Sequence, residues 1–229
     1  MTPPGSRRAW MSWSSGKDST FALAAIRAQV EITGLLTTVN ADADRVAMHA
    51  VRRELLEAQA RRLGLALHAV DIPYPCPNEV YESLMGEAVA TARADSVDAM
   101  VFGDLYLRDV RDYRERMLAG TGIEPLFPLW GLPTERLARE MIDTGVRAVL
   151  TCVDPAQLPA EFAGRSFDAQ LLADFPDGVD PCGERGEFHT FVWDGPGFSS
   201  PIDVEVGDVV ERDGFVFCDV LPAGAAALG

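Results

Sequence analysis

Lysine is almost missing from this chain of 229 residues: of 20 basic residues, 19 are arginine and the single lysine is Lys17. A lysine kept at one place among so many arginines points to a need for a compact ammonium rather than a planar fork. Histidine is nearly as scarce, and His49, His68 and His189 are too far apart to show a metal-ligand spacing. The cysteines Cys76, Cys152, Cys182 and Cys218 form no C-x-x-C pair. That excludes a zinc ribbon or thioredoxin-type motif and reads as free thiols in a reducing compartment. No apolar run approaches the roughly 20 residues that cross a bilayer. Ala9–Trp13 is too short for the core of a signal peptide, so a cytoplasmic location without membrane contact is expected. Positive charge is short overall, with 20 Lys+Arg against 35 Asp+Glu and a net charge of −15. Such a surface repels a phosphate backbone and excludes a broad nucleic-acid groove, though not a local basic pocket.

What is present is an ordinary globular composition, 48% hydrophobic and 24% charged, with enough chain for one large domain or two small ones. Short apolar runs alternate with helical-period stretches over about the first 150 residues. Strands are expected at Ala9–Trp13, Ile32–Val39, Leu65–Ile72, Asp98–Phe102, Glu124–Leu129 and Val146–Val153. Helices are expected at Ser19–Gln29, Met48–Leu63, Asn78–Arg93 and Thr134–Thr144. This alternation predicts βαβ units and a Rossmann-like α/β fold, a parallel sheet with helices on both faces. Beyond residue 154 a Gly-, Pro- and acid-rich stretch leads into alternating runs at Phe188–Trp193, Ile202–Val210 and Phe215–Val220, with Asp213-Gly214 as a hairpin turn. The expected division is therefore an α/β domain over 1–125 and a smaller α+β domain over 126–229, with the boundary between 120 and 155. The Ala/Gly-rich tail after Pro222 is expected to fray.

The first strand runs into Ser14-Ser15-Gly16-Lys17-Asp18-Ser19 and a helix starts at once. Small residues allow a tight turn whose N–H groups converge; the helix N-terminus and Lys17 add positive charge. The combination suits phosphates. It is neither a Walker A loop nor the G-x-G-x-x-G dinucleotide fingerprint. Without a ligand it would be a strand–turn–helix corner capped by Asp18 or Ser19. In open α/β sheets ligands bind beyond the carboxyl ends of the strands, where Thr38, Asn40, Gly103 and Asp104 also fall. Were the anion the phosphate of a nucleotide, the loop after the second strand would hold its base or ribose. Gly103 would allow close backbone approach, and Asp104 with Asp18 would carry Mg²⁺, an oxygen-seeking ion that bridges phosphates.

The hexapeptide resembles the PP-loop, S-G-G-x-D-S, of the N-type ATP pyrophosphatases, with Ser15 at the second position. Such a resemblance implies that ATP adenylates a substrate oxygen and releases pyrophosphate before a nucleophile displaces AMP. Further matching stretches are Met48-His49-Ala50-Val51-Arg52, Asp112-Tyr113-Arg114-Glu115, Pro125–Trp130, Thr151–Asp154 and, most specifically, Asp180–Phe191. Together, from about Trp10 to Phe198, they resemble the diphthine–ammonia ligase family, also called the diphthamide-synthase or ATP-binding type 4 domain family. Its usual late motif is C-G-E-N-G-E-F-H-T, and here Arg185 replaces the Asn. The resemblance implies ATP and Mg²⁺ as cofactors, ammonia as nucleophile, and a carboxylate acceptor, diphthine on elongation factor 2 where the organism makes diphthamide. The arginine bias and alanine richness suggest a GC-rich genome, and an organism lacking diphthamide would amidate another carboxylate. A homodimer is a further expectation.

Cys182, Gly183, Glu184, Gly186, Glu187, His189 and Thr190 are the candidate substrate-binding residues; Lys17, Asp18, Glu184, Glu187 and His189 are the candidate catalytic ones. If Phe188–Phe191 is a strand, residues 187 and 189 share a face, so His189 could deprotonate an incoming ammonium with Glu187 orienting it. Alternatively, the carboxylates hold the ammonium electrostatically, or the segment is simply a hydrogen-bonded acidic turn. His49 is read as a structural residue at a helix start, His68 as a half-exposed strand residue, and Cys182 as a thiol with no evident base. A thiolation enzyme of the same loop class and a non-catalytic nucleotide sensor are the alternative functions.

Overall fold

The computed structural model describes residues 7–224. In chain order the elements are β1 (Arg8–Ser12), α1 (Lys17–Ile26), β2 (Glu31–Asn40), β3 (Arg45–Val46), α2 (Arg53–Leu63), β4 (Ala66–Ile72), α3 (Asn78–Ala94) and β5 (Ala99–Val101). They continue with α4 (Arg108–Leu118), β6 (Glu124–Leu126), α5 (Thr134–Asp143), β7 (Arg147–Val153), a 3₁₀ turn (Ala160–Phe162), α6 (Ala169–Asp174), β8 (Phe188–Asp194), β9 (Val204–Arg212) and β10 (Phe215–Pro222).

The first sheet runs β4-β2-β1-β5-β6, all parallel, and β3 pairs antiparallel with the end of β2. A central parallel strand is covered on both faces and reads as a continuous apolar run; Ala9, Trp10 and Met11 of β1 are at most 1% exposed. Their side chains alternate. Ala9 and Met11 join the cluster built on α1, α2 and the second sheet, whereas Trp10, Leu36, Met100 and Phe102 pack with Met85, Val89 and Ala92 of α3. The fold is thus α/β with helices on both faces. A second sheet, β8-β7-β10-β9, is antiparallel throughout. Asp213 and Gly214 join β9 to β10 with positive φ at both residues, as a tight hairpin requires.

Four readings of the sequence need correction. The helix expected from Met48 begins at Arg53. Met48 and Ala50 have φ of 64° and 55°, left-handed values that no helix continues through, and Met48 is 68% exposed. Val146–Val153 does not join the parallel sheet: as β7 it pairs with β8 and β10. A strand buried on both faces looks the same in either setting. Helix α4 was not anticipated, because it buries only Leu118 and so lacks an apolar stripe. Strand β6 stops at Leu126, well before Leu129. The tail expected to fray lies largely in 225–229, outside the described residues. No helix among the described residues is long and apolar enough to cross a membrane.

Candidate active site

The loop between β1 and α1 is held by the second sheet. Ser15 is fully buried and left-handed, with φ 69°. Its carbonyl accepts from the Val192 N–H of β8 at 2.9 Å and from Gln59 Nε2 at 3.0 Å. Gly16 is the N-cap of α1 and has no side chain to cap it; Thr190 Oγ1 takes the Lys17 N–H, and the next N–H groups of the first turn are left for an anion. A Cβ on Gly16 would lie 3.2 Å from Thr190 O and 3.3 Å from His49 Cε1, so only glycine sits there unstrained. Ser14 Oγ accepts from the Gly16 N–H at 3.3 Å and lies 3.2 Å from Ser19 Oγ, which bonds back to Gly16 O at 3.0 Å. At the end of β5, a Cβ on Gly103 would come within 3.1 Å of Asp18 and Ser19 backbone atoms. The close approach expected of Gly103 is therefore toward α1 itself.

Lys17 turns inward. It is 2% exposed, and its ammonium donates to Asp18 Oδ2 at 2.9 Å and to the Cys182 carbonyl, 5.0 Å from the centre of the Phe188 ring. Burial alone would lower its pKa, but Asp18 and other anionic partners more than offset this, and it stays charged. Asp18 Oδ1 and Asp104 Oδ2 are buried with no hydrogen-bond partner, as is Nε of Arg114, 3.7 Å from Asp104 Oδ2. Burial raises the pKa of both carboxyls, with the charge of Asp180 adding to the rise at Asp18 and that of Asp18 at Asp104; Lys17 pulls Asp18 back down and Arg114 does so for Asp104. Orphaned acceptors in a buried site want a cation. Among the described residues no group of three or more His, Cys, Asp or Glu is set to hold a metal. Magnesium nevertheless fits, because it is usually held by one or two carboxylates with water and phosphate completing its octahedron.

The late motif folds against this cluster. Glu184 accepts from the Leu105 N–H at 2.8 Å and the Tyr106 N–H at 3.3 Å. Burial raises its pKa to about 7, with Asp18 and Asp104 adding repulsion and the two amides opposing. Gly183 has φ 67°, and any Cβ there would meet Phe188 O at 2.8 Å. Gly186 also needs a positive φ, 86°. Cys182 is buried, its Sγ 3.5 Å from Thr134 O, and burial pushes its thiol pKa up; it is placed as packing rather than as a nucleophile. Thr190 Oγ1 accepts from the Lys17 N–H at 3.1 Å.

Two expectations for this motif do not survive. Glu187, 1% exposed, is saturated by the Asp180 and Arg185 N–H groups and by the Arg185 guanidinium at 2.6 Å. It holds the turn and does not orient His189. Burial, reinforced by Lys17, lowers the His189 pKa to about 4, which makes it a weak base for an ammonium. Its ring lies 4.5 Å from that of His49, so the chain brings together two histidines that the sequence kept apart. Asn40 is spent locally, its Oδ1 accepting from the Asp42 and Ala43 N–H groups at 3.0 Å each. Thr38 holds the neighbouring turn through its carbonyl, which accepts from the Ala47 N–H at 3.0 Å. His68 stacks on Trp10 at 3.7 Å, away from the loop cluster. Sequence reasoning missed Gln59, Arg114 and the placement of His49. For Arg114 the signal was its place in Asp112–Glu115; for Gln59 there was none.

Fold and site together define a parallel α/β protein with a tight Ser- and Gly-containing loop at the head of its first helix, packed against an antiparallel sheet. Models of the diphthamide synthase N-terminal domain and C-terminal domain match residues 7–125 and 133–220, and the chain belongs to this family. It is 28% identical to diphthine–ammonia ligase from Homo sapiens over 69% of this chain and 61% of that protein. The same identity holds for diphthine–ammonia ligase from Danio rerio over 90% of both. The chain thus spans about three-fifths of the human protein's length. A crystal structure of a predicted subunit of tRNA methyltransferase from Methanocaldococcus jannaschii overlaps 86% of this chain with a TM-score of 0.42 at 16% identity.

Proposed function

We propose that this protein is an ATP-dependent ligase that adenylates a carboxylate and converts it to an amide with ammonia. The observation that carries the reading is the loop Ser14–Ser19 at a helix start whose N-cap is glycine, packed against Gly103 beside Asp104, with the partnerless oxygens of Asp18 and Asp104 at this junction. Family membership and the named activity of the relatives support it. In this reading the loop N–H groups, Ser14 and Ser19 hold the β- and γ-phosphates. Asp18 and Asp104 would hold Mg²⁺, whose charge would neutralise that developing on the leaving pyrophosphate. The acceptor carboxylate attacks the α-phosphorus, the bond to the bridging oxygen breaks, and pyrophosphate departs. Ammonia then adds to the acyl carbon, AMP leaves, and the surplus proton goes to a base. Glu184, titrating at about 7 beside the acidic cluster, suits that role better than His189. Lys17 acts from behind, fixing Asp18 and the Cys182 carbonyl. The acceptor is a carboxylate on a protein, diphthine on elongation factor 2 where diphthamide is made.

A thiolation chemistry is disfavoured by the burial of Cys152, Cys182 and Cys218 and by the thiol pKa values raised through that burial. A pure sensor leaves the Glu184 cluster without work. The test is incubation with ATP and Mg²⁺, with and without ammonium, resolving AMP plus pyrophosphate from ADP plus phosphate. Slow AMP and pyrophosphate formation, cut at least tenfold in Asp104→Asn, is expected. ADP plus phosphate, or no product even with carboxylate acceptors supplied, overturns the reading.

A further inference from the structure

His49 and His189 come from distant parts of the chain, the turn before α2 and the strand β8, yet their rings meet at 4.5 Å with planes tilted by 43°. The pair stands directly on the anion loop: His49 Cε1 lies 3.3 Å from where a Gly16 Cβ would be. Its Nδ1 faces the Thr190 carbonyl at 3.4 Å, while Lys17 uses the hydroxyl of the same threonine. Both rings are partly exposed. Lys17, by contrast, is fully buried. Nothing in the proposed ligase chemistry requires two histidines here.

We propose that His49 and His189 form a proton-coupled polyphosphate ligand: the pair is neutral in the empty protein and takes up one proton from solvent when a polyphosphate enters the loop. The proposal rests on the reading of Ser14–Ser19 as a phosphate loop and adds to it a ligand and a proton count.

The electrostatics have a definite sign. Burial, the neighbouring imidazole and the Lys17 ammonium all hold His49 well below its ordinary range, and the Thr190 carbonyl opposes them only in part. Burial and then Lys17 do the same for His189. Lys17 is the one permanent charge among the groups acting on the pair. One phosphate charge at about 4 Å, in a site of intermediate dielectric, lifts an imidazole's titration by roughly three pH units. That is enough to bring the titration of His189, held at about 4 in the empty protein, close to neutral pH. Two protons would repel across the ring contact, so a single shared proton is the expected stoichiometry.

Because the chain has three histidines, the experiment is direct. Pyrophosphate and Mg²⁺ are added at pH 7 to the full chain carrying ¹³C-labelled histidine, and the three Cε1–H signals are followed. In parallel, binding heats are measured in buffers of different ionisation enthalpy. We expect the His49 and His189 signals to move toward the imidazolium position while His68, stacked on Trp10, stays put. Wild type should take up about one proton more per pyrophosphate than the double variant carrying His49→Gln and His189→Gln, because either imidazole left alone still accepts the single proton. Comparison with this variant cancels protons taken up by the ligand itself and by Glu184. If the double variant unfolds, the single variants decide it: in His49→Gln and in His189→Gln the one remaining histidine of the pair should move further toward the imidazolium position on pyrophosphate binding than it does in wild type. Pyrophosphate binding with unshifted histidine signals and no difference in proton uptake overturns this inference and leaves the loop reading intact. No binding of pyrophosphate or ATP by the wild type overturns both.

Discussion

Ser15 stands where the resembling loop has glycine, and it adopts the left-handed conformation all the same. A side chain in that region costs roughly 1–2 kcal/mol relative to glycine, and its buried Oγ finds no partner. Replacing it by glycine removes both penalties but raises the entropy of the unfolded chain. Ser15→Gly is therefore expected to stabilise the protein by about 0.5–1 kcal/mol, read as a higher urea midpoint with an unchanged slope. A β-branched Ser15→Val should lower the midpoint instead. If glycine is neutral or harmful, the strain assigned to this residue is absent. The same residue marks a limit of sequence reading. The hexapeptide was legible as a tight turn from strand to helix, but the partners that force Ser15 into shape, Val192 and Gln59, lie far along the chain.

Helix α2 illustrates what an element can hide. Its buried positions Leu55, Leu56, Gln59 and Ala60 form an ordinary inward stripe with one amide in it. Gln59, wholly buried, accepts from Trp13 Nε1 at 2.8 Å and donates to the Ser15 carbonyl at 3.0 Å and the Val192 carbonyl at 2.7 Å. One side chain thus ties the end of β1, the loop Ser14–Ser19 and β8. Truncating it to an apolar group strands buried polar partners, at about 1–3 kcal/mol for each one left unsatisfied. Gln59→Leu should lower the melting temperature clearly and weaken nucleotide binding at least tenfold. Leu55→Met, its apolar neighbour on the same face, should leave binding unchanged. Equal effects on binding would mean that α2 only packs. Strands β1 and β2 were readable in the sequence as continuous apolar runs buried on both faces, and α3 by the helical spacing of Met85, Val89 and Ala92. Helix α4 was not, since its contribution is charged and aromatic: Arg111 stacks over Phe127 and Trp130 at 4.6 and 4.8 Å, and Arg114 over Phe102 at 5.2 Å. The start of α2 was misread because Val51 and Leu55 keep the spacing of a helix through a turn that is not one.

At the scale of the molecule, we propose two domains, 1–125 and 126–229, that share one site and one pool of charge. The loop of the first is completed by β8 of the second, and Lys17 of the first lies against Phe167 and Phe188 of the second. Hence the halves should unfold in one transition. The chain's acidity is concentrated inward as well as outward: Asp18, Asp104 and Glu184 all have raised pKa values. For Glu184 the folded value of about 7 exceeds the ordinary 4.5. Between these two pH values the native state keeps a proton that the unfolded chain has released, so this group's contribution to stability falls as pH rises through the window. His189 acts oppositely: its folded value of about 4 lies below the ordinary 6.5, so its contribution grows as pH rises from about 4 to 6.5. Asp219 is held at about 2, where hydrogen bonds from Arg52 and Arg45 overcome its burial; its stabilisation is lost only in acid, below about 3.8. Overall pH dependence therefore mixes signs, and a difference between variants isolates one of them. Glu184→Gln should equal wild type in stability near pH 4.5 and become more stable than it by pH 8. The gap is about 1–2 kcal/mol, allowing for solvent screening of a half-buried group. Urea titrations of both proteins at the two pH values decide it. A gap that is flat across pH would mean that Glu184 is already ionised well below neutrality in the folded protein. In that case the proton acceptor of the amide-forming step has to be sought elsewhere in the same cleft.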